Sequence, residues 1–220
     1  FFAVPLSIIG ARAYYVIFYL DLYRTESGGL DWSKVIAIWD GGLAIYGGII
    51  MAIVTVVVFC RVRKINTLAF LDMGSFGMII GQCIGRWGNF FNVEAYGGVT
   101  ELPWRMCSES IANYLWGHGL LESEDAYQAI LDGTLGVHPT FFYESLWNAA
   151  GLVLLYIIAR KWRKVDGQIF LSYMAWYGVG RAFIEGLRTD SLYFFNTGIR
   201  TSQMLGILFA AAALIWLIWR

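Results

Sequence analysis

Charge is scarce in this chain. Of its 220 residues 15% are charged, against about 25% in an ordinary soluble domain. The 16 basic and 16 acidic residues cancel, so no polyanionic partner is implied and nucleic acid is not expected. There are two histidines, His118 and His138, too few and too far apart to argue for a metal site. The three cysteines, Cys60, Cys83 and Cys107, are an odd number without CxxC spacing, which supports neither a disulfide framework nor a zinc site. Cys60 and Cys83 stand in or beside apolar runs, where a small buried hydrophobe is the expected role. No internal repeat or low-complexity tract is present, and the lack of a duplicated hydropathy pattern weakens a secondary-transporter reading.

What the chain has is apolar surface. It is 58% hydrophobic and 17% aromatic, with a mean hydropathy of +0.58, and it reads as a membrane protein. A membrane span needs about 20 mostly apolar residues. Six stretches qualify, at roughly 1–20, 41–60, 68–86, 140–159, 168–187 and 202–219. The first has no basic start and is interrupted by Arg12, unlike a signal peptide. Basic residues orient the spans. Arg61, Arg63 and Lys64, then Arg160, Lys161, Arg163 and Lys164, then Arg220 fall on one side, assigned to the cytoplasm, while 21–40, 87–139 and 188–201 on the other side are richer in acid. The expected fold is all-α: one polytopic membrane helix bundle over 1–220, with residues 87–139 as a small extracytoplasmic head. Within that head Glu109–Trp116 and Glu124–Leu131 read as short amphipathic helices. Trp32, Trp39, Trp104 and Tyr193 suit the aromatic belt of a membrane interface.

Ionisable residues inside spans are costly and are functional candidates by default. In the fifth span Tyr177, Arg181, Glu185 and Arg188 are spaced by four, four and three, which lines them along one helical face. Arg181 then lies about 10 Å deeper than Arg188. Six-span topology brings other polar groups to the same outer half: Arg86 and Asn89 at the end of the third span, Tyr46 near the start of the second, His138 and Glu144 at the start of the fourth, and Arg12 at mid-depth in the first. Four arginines there outnumber Glu144 and Glu185, with Asp40 and Asp190 at the rim. Helices joined by neutral charge pairs need no such excess; the excess points to an anion, and at headgroup depth that anion is a lipid phosphate. Plainer roles fit other residues. Asp72 reads as a snorkelled or helix-terminal acid, His118 as a loop residue of the head, and the Gly47/Gly48 and Gly178/Gly180 pairs as close-packing positions.

Several ordered motifs carry a resemblance: GRWGNFFNxEAYG at 85–97, WDGGLAIYGG at 39–48, HPTFFYES at 138–145 and GxGRxFIEGLRTDSL at 178–192. With them the chain resembles the prolipoprotein diacylglyceryl transferases of bacterial membranes, from Gly10 almost to the C-terminus. That resemblance implies a seven-helix bundle in the bacterial cytoplasmic (inner) membrane, with an active site open to the outer leaflet. It implies transfer of the diacylglyceryl group of phosphatidylglycerol to the lipobox cysteine of a prolipoprotein signal peptide, forming a thioether and releasing glycerol phosphate, with no metal or cofactor. Arg86 and Arg181 are then the essential phosphate ligands, and Asn89, Gly97, Tyr177, Glu144, Glu185 and Arg188 match other functional positions. Two departures stand out. Tyr46 occupies a position where some members carry a histidine cast as the thiol's base; a phenol near pKa 10 is a poor base at neutral pH, so Tyr46 is expected to hydrogen-bond or to be assisted by Glu144 or Glu185. Val93 replaces a usual glycine and is expected to be tolerated. The family's first transmembrane helix lies outside residues 1–220, which implies either a shortened chain or a compromised enzyme. The alternatives left open are a non-catalytic lipid- or anion-binding membrane protein and a small transporter.

Overall fold

A computed structural model describes residues 2–25, 28–187 and 200–219. The chain is mostly helical and divides into two compact units, 1–70 and 71–220. Among the described residues three helices are long and apolar enough to cross a membrane, Ile45–Arg63, Thr67–Phe91 and Thr140–Trp162, and Ala3–Phe18 and Gln203–Trp216 are shorter apolar helices.

In the first unit α1 (Ala3–Phe18) packs along α3 (Ile45–Arg63). Two glycines make that approach close: a Cβ at Gly47 would overlap the Gly10 carbonyl, and one at Gly10 would overlap Met51. Small residues at a crossing let backbones meet in this way. Between the two helices runs a loop with one short helix, α2 (Trp32–Ile36), whose N-terminus is capped by Asp31 accepting from the Lys34 N–H. Arg12 organises this loop. Its guanidinium is buried and donates to the carbonyls of Val35, Gly41, Gly42, Lys34 and Ala37 at 2.6–3.0 Å. A guanidinium has five N–H donors, so all five are engaged, and the Tyr23 ring lies 5.1 Å from its centre. Gly41 and Gly42 hold φ of +87° and +73°, a region open to glycine, which turns both of their carbonyls onto the cation. The expectation that Arg12 adds to a phosphate-binding excess is therefore corrected: it fastens the 34–42 loop.

The second unit holds the rest of α4 (Thr67–Phe91), then a head, then α7 (Thr140–Ile157), α8 (Gln168–Ile184) and α9 (Thr201–Trp219). α4 runs on to Phe91, so residues 87–91 of the expected head are helical. Nothing in Trp87–Phe91 breaks a helix outright, and Trp87 and Phe90 pack on Phe141 at 5.5 and 5.1 Å. The head's helices are α5 (Glu109–Gly117) and α6 (Glu124–Leu131), each capped by a serine, Ser108 to the Ile111 N–H and Ser123 to the Ala126 N–H. Such caps satisfy N–H groups that a helix start leaves without partners. Ile111, Ala112, Leu115, Ile130, Val137 and Met106 form the head's core together with Phe141 of α7. Two short strands, β1 (Val99–Thr100) and β2 (Gly136–Val137), pair antiparallel beside it; an all-helical reading omits them because each is only two residues long.

Asp72, expected as a snorkelled or helix-terminal acid, is buried and caps another helix. Its two oxygens accept from the N–H groups of Gly167 and Phe170 at 2.9 Å, at the start of α8, and Arg163 lies 3.4 Å away. A carboxylate at a helix N-terminus is favoured by the helix dipole. At the other end α8 meets α9 through Gly178, where a Cβ would overlap the Gly206 carbonyl.

Candidate functional site

Three helices of the second unit bring their charges to one place. Arg86 is in the penultimate turn of α4, Glu144 in the second turn of α7, Arg181 in the last turn of α8, and Glu185 opens the 3-10 turn that follows. Arg86 Nη2 lies 2.7 Å from Glu144 Oε2, and Arg181 Nη1 lies 3.4 Å from Glu144 Oε1. Arg181 Nη2 lies 2.8 Å from Glu185 Oε2, the i,i+4 contact that the spacing implies. The side chains of Glu144 and Glu185 are 6% and 3% exposed. Charges so buried must be paired, and one carboxylate here serves two guanidiniums from different helices. Within these four side chains the charges balance, two against two, so the expected positive excess is not found among them.

The helix that carries Glu144 is tied to both of its neighbours. Ser145 Oγ donates to the Cys83 carbonyl of α4 at 2.9 Å and accepts from Trp87 Nε1 at 3.2 Å. Those two α4 residues flank Arg86. Three positions on, Trp147 joins α7 to α8. The loop after α4 folds back over its end: Asn89 and Asn92 each donate their amide to Glu94 Oε1, at 3.0 and 3.2 Å, and the Glu94 N–H returns to the Asn89 carbonyl. Gly97 donates to the His138 carbonyl and Gly98 to the Leu187 carbonyl. A Cβ at Gly97 would lie 2.8 Å from both His138 Cβ and the Leu187 oxygen, so the loop closes on α7 and the end of α8 only with glycine there. Val93 has φ of +52°, an outlying conformation for a β-branched residue. Partly buried, it packs against the head core.

A sequence model of the prolipoprotein diacylglyceryl transferases matches residues 1–219. The chain belongs to that family. A phosphatidylglycerol–prolipoprotein diacylglyceryl transferase of Oceanobacillus iheyensis is 45% identical over 222 residues, covering 100% of this chain and 71% of the relative. Proteins of the same name from Streptococcus pneumoniae (42% over 219 residues, 99% of this chain, 75% of the relative) and Lactiplantibacillus plantarum (43% over 223 residues, 99% and 71%) are similar too. Together with the apolar helices, family membership makes the chain a membrane protein.

Of the residues that the family's motifs single out, Arg86, Glu144, Arg181 and Glu185 come together. Asn89 is in the last turn of α4, and Gly97 belongs to the loop that folds over that end. Tyr177 stands one turn before Arg181 and stacks against Tyr173, ring centroids 6.0 Å apart. Tyr46 belongs to the first unit, exposed in the first turn of α3. Arg188, Asp190 and Tyr193 lie outside the described residues. His118, expected as a loop residue of the head, is the turn residue that follows α5, its Nδ1 2.8 Å from the Tyr114 carbonyl. Glu94, though part of the 85–97 motif, had been given no role, and neither Ser145 nor Arg200, which donates to the Glu185 carbonyl, was expected at the site. Only Glu94 left a readable signal, as a carboxylate five residues beyond Asn89.

Proposed function

We propose that this chain transfers the sn-1,2-diacylglyceryl group of phosphatidylglycerol to the lipobox cysteine thiol of a prolipoprotein. The observation that carries the reading is the pair of guanidiniums, Arg86 and Arg181, brought from separate helices onto one buried carboxylate in a member of this family. In the reaction the thiol sulfur bonds to the glyceryl carbon as the C–O bond to phosphate breaks. Glycerol phosphate leaves with that bonding pair, and the thiol proton passes to water or to the departing phosphate. Negative charge therefore grows on the phosphate oxygens. Guanidiniums fixed in advance in a site of low dielectric stabilise such charge by several kcal/mol. Glu144 and Glu185 serve by holding the two forks in place, so that little reorganisation accompanies the step. A free thiol near pKa 8.5 is only a few per cent thiolate at neutral pH, and a positive field near the sulfur raises that share.

The finer arrangement belongs to the same proposal. The chain forms one membrane domain of six spans in the bacterial cytoplasmic membrane, residues 87–139 make an extracytoplasmic head, and the site faces the outer leaflet. Asn89, Gly97, Tyr177 and Arg188 contact phosphatidylglycerol together with the two arginines, and the Tyr46 hydroxyl serves as a hydrogen-bonding group. A non-catalytic lipid- or anion-binding role and a transporter role are not favoured. The test is incubation of the purified chain with phosphatidylglycerol vesicles and a lipobox peptide. A peptide heavier by one diacylglyceryl group, with glycerol phosphate released, is expected from the wild type, and none from membrane-inserted Arg86→Ala or Arg181→Ala. No thioether from the wild type, or an undiminished rate in either variant, overturns the reading.

A further inference from the structure

The contact between Arg181 and Glu144 spans two helices, and a 3.4 Å separation survives only if α7 and α8 keep their register. One device on the two helices sets that register. Trp147 Nε1 donates to the Trp176 carbonyl at 3.0 Å, and Trp176 Nε1 donates to the Trp147 carbonyl at 2.9 Å. The two indoles stack with centroids 4.3 Å apart at 17°. Each lies on a glycine of the opposite helix: a Cβ at Gly180 would overlap the Trp147 ring nitrogen, and one at Gly151 would overlap that of Trp176. Both helices thus carry the same Trp-x-x-x-Gly spacing, 147 to 151 and 176 to 180. Each accepting carbonyl belongs to the residue one turn before the glycine, so the indole N–H adds to that carbonyl's ordinary helix bond through its second lone pair.

The clasp sits directly beneath the charges. Trp147 is three residues after Glu144, on the same face of α7, and Gly180, which it covers, is the neighbour of Arg181. We propose that Trp147 and Trp176 are positioning residues of the transferase, holding Arg181 against Glu144 so that both guanidiniums meet the phosphate at once. The role is more than packing, because two N–H···O bonds and two glycine seats define a single sliding position of α7 on α8. A shift by one helical residue breaks all four features together. The proposal rests on the transfer reading above.

The test uses the full chain in detergent, with rates normalised to folded protein. Trp176→Phe keeps an aromatic ring and removes one N–H; Gly180→Ala keeps both indoles and displaces that of Trp147. Because a misplacement of about 1 Å can cost about a hundredfold in rate, each variant is expected to lower kcat by about ten- to a hundredfold with KM for phosphatidylglycerol little changed, since Arg86 still holds the lipid. A second readout does not depend on activity. Spin labels at Leu146 and Phe183, both exposed, in a background with Cys60, Cys83 and Cys107 replaced by serine, report the α7–α8 distance. A narrow distribution is expected without further changes and a broadened one in both variants. Wild-type kcat in folded Trp176→Phe, or unchanged label distances in both variants, overturns the proposal. A wild-type chain that makes no thioether overturns the transfer reading instead, and the label distances then decide the clasp alone.

Discussion

Glu144→Gln is the substitution whose effect follows most closely from the geometry. The side chain keeps its size and an oxygen able to accept from Arg86, but the four-residue cluster is left with two guanidiniums against the single carboxylate of Glu185. Deleting one partner of a buried charge pair costs about 3–5 kcal/mol, and the retained acceptor puts this case at the lower end, about 3 kcal/mol. For a chain of this size each kcal/mol moves the thermal midpoint by about 2–4 °C, so a fall of about 6–12 °C is expected in detergent. The same reasoning predicts a rescue. Glycerol phosphate supplies the missing negative charge, and at a hundred times its dissociation constant a ligand stabilises by about 2.7 kcal/mol. It is expected to raise the midpoint of Glu144→Gln by most of the loss and that of the wild type by much less. A loss below about 1 kcal/mol, the range of exposed ion pairs, refutes the reasoning, and so does an equal effect of glycerol phosphate on both proteins.

Arg12→Lys replaces five donors by three, so two of the five carbonyls lose the side-chain N–H they accept, although the Lys34 carbonyl keeps that of Ala37. At about 0.5–1.5 kcal/mol for each hydrogen bond lost, the thermal midpoint should fall by the equivalent of about 1–3 kcal/mol; a loss under about 0.5 kcal/mol contradicts the loop-fastening role. Asp72→Ala removes the acceptor from the Gly167 and Phe170 N–H groups, so these two amides should exchange with deuterium faster than those further along α8, and unchanged exchange counts against the cap. The Asp31 carboxyl is held below its usual 3.8, first by the Ser33 hydroxyl and then by the Lys34 N–H. A depressed carboxylate stabilises the folded state above its unfolded pKa, and that contribution disappears as pH falls through the lower folded value. The Asp31 carboxyl carbon should therefore titrate below pH 3.8 by NMR, and Ser33→Ala should bring it back up; a wild-type midpoint at or above 3.8 contradicts this.

The charges of the site were legible because ionisable side chains are conspicuous in apolar runs, and because four-residue spacing alone ties Arg181 to Glu185. What joined them was not. Glu144 bridges Arg86 and Arg181 across three helices, and no local pattern says which acid answers which base over such separations. Arg12 misled for a related reason. Its partners are backbone carbonyls of residues 34–42, which have no side-chain identity, so a buried cation with no acid nearby read as one awaiting an anion. The two head helices were readable as amphipathic segments, whereas β1 and β2 are too short to leave a periodicity. The extension of α4 to Phe91 was hidden by Gly88 and Asn89, which read as loop residues but are carried by the packing of Trp87 and Phe90 on Phe141. The repeated Trp-x-x-x-Gly spacing was visible all along, but only the stacked indoles give it meaning.

The central claim is that Arg86 and Arg181 together hold the phosphate that leaves. The most direct measurement is solid-state NMR dephasing between the 31P of phosphatidylglycerol and 15N-labelled guanidiniums in the membrane-embedded protein. Dephasing is expected from two arginines at direct hydrogen-bonding range, one contribution vanishing in Arg86→Lys and the other in Arg181→Lys. Dephasing that survives both substitutions intact contradicts that claim, as does its absence in the wild type with bound lipid.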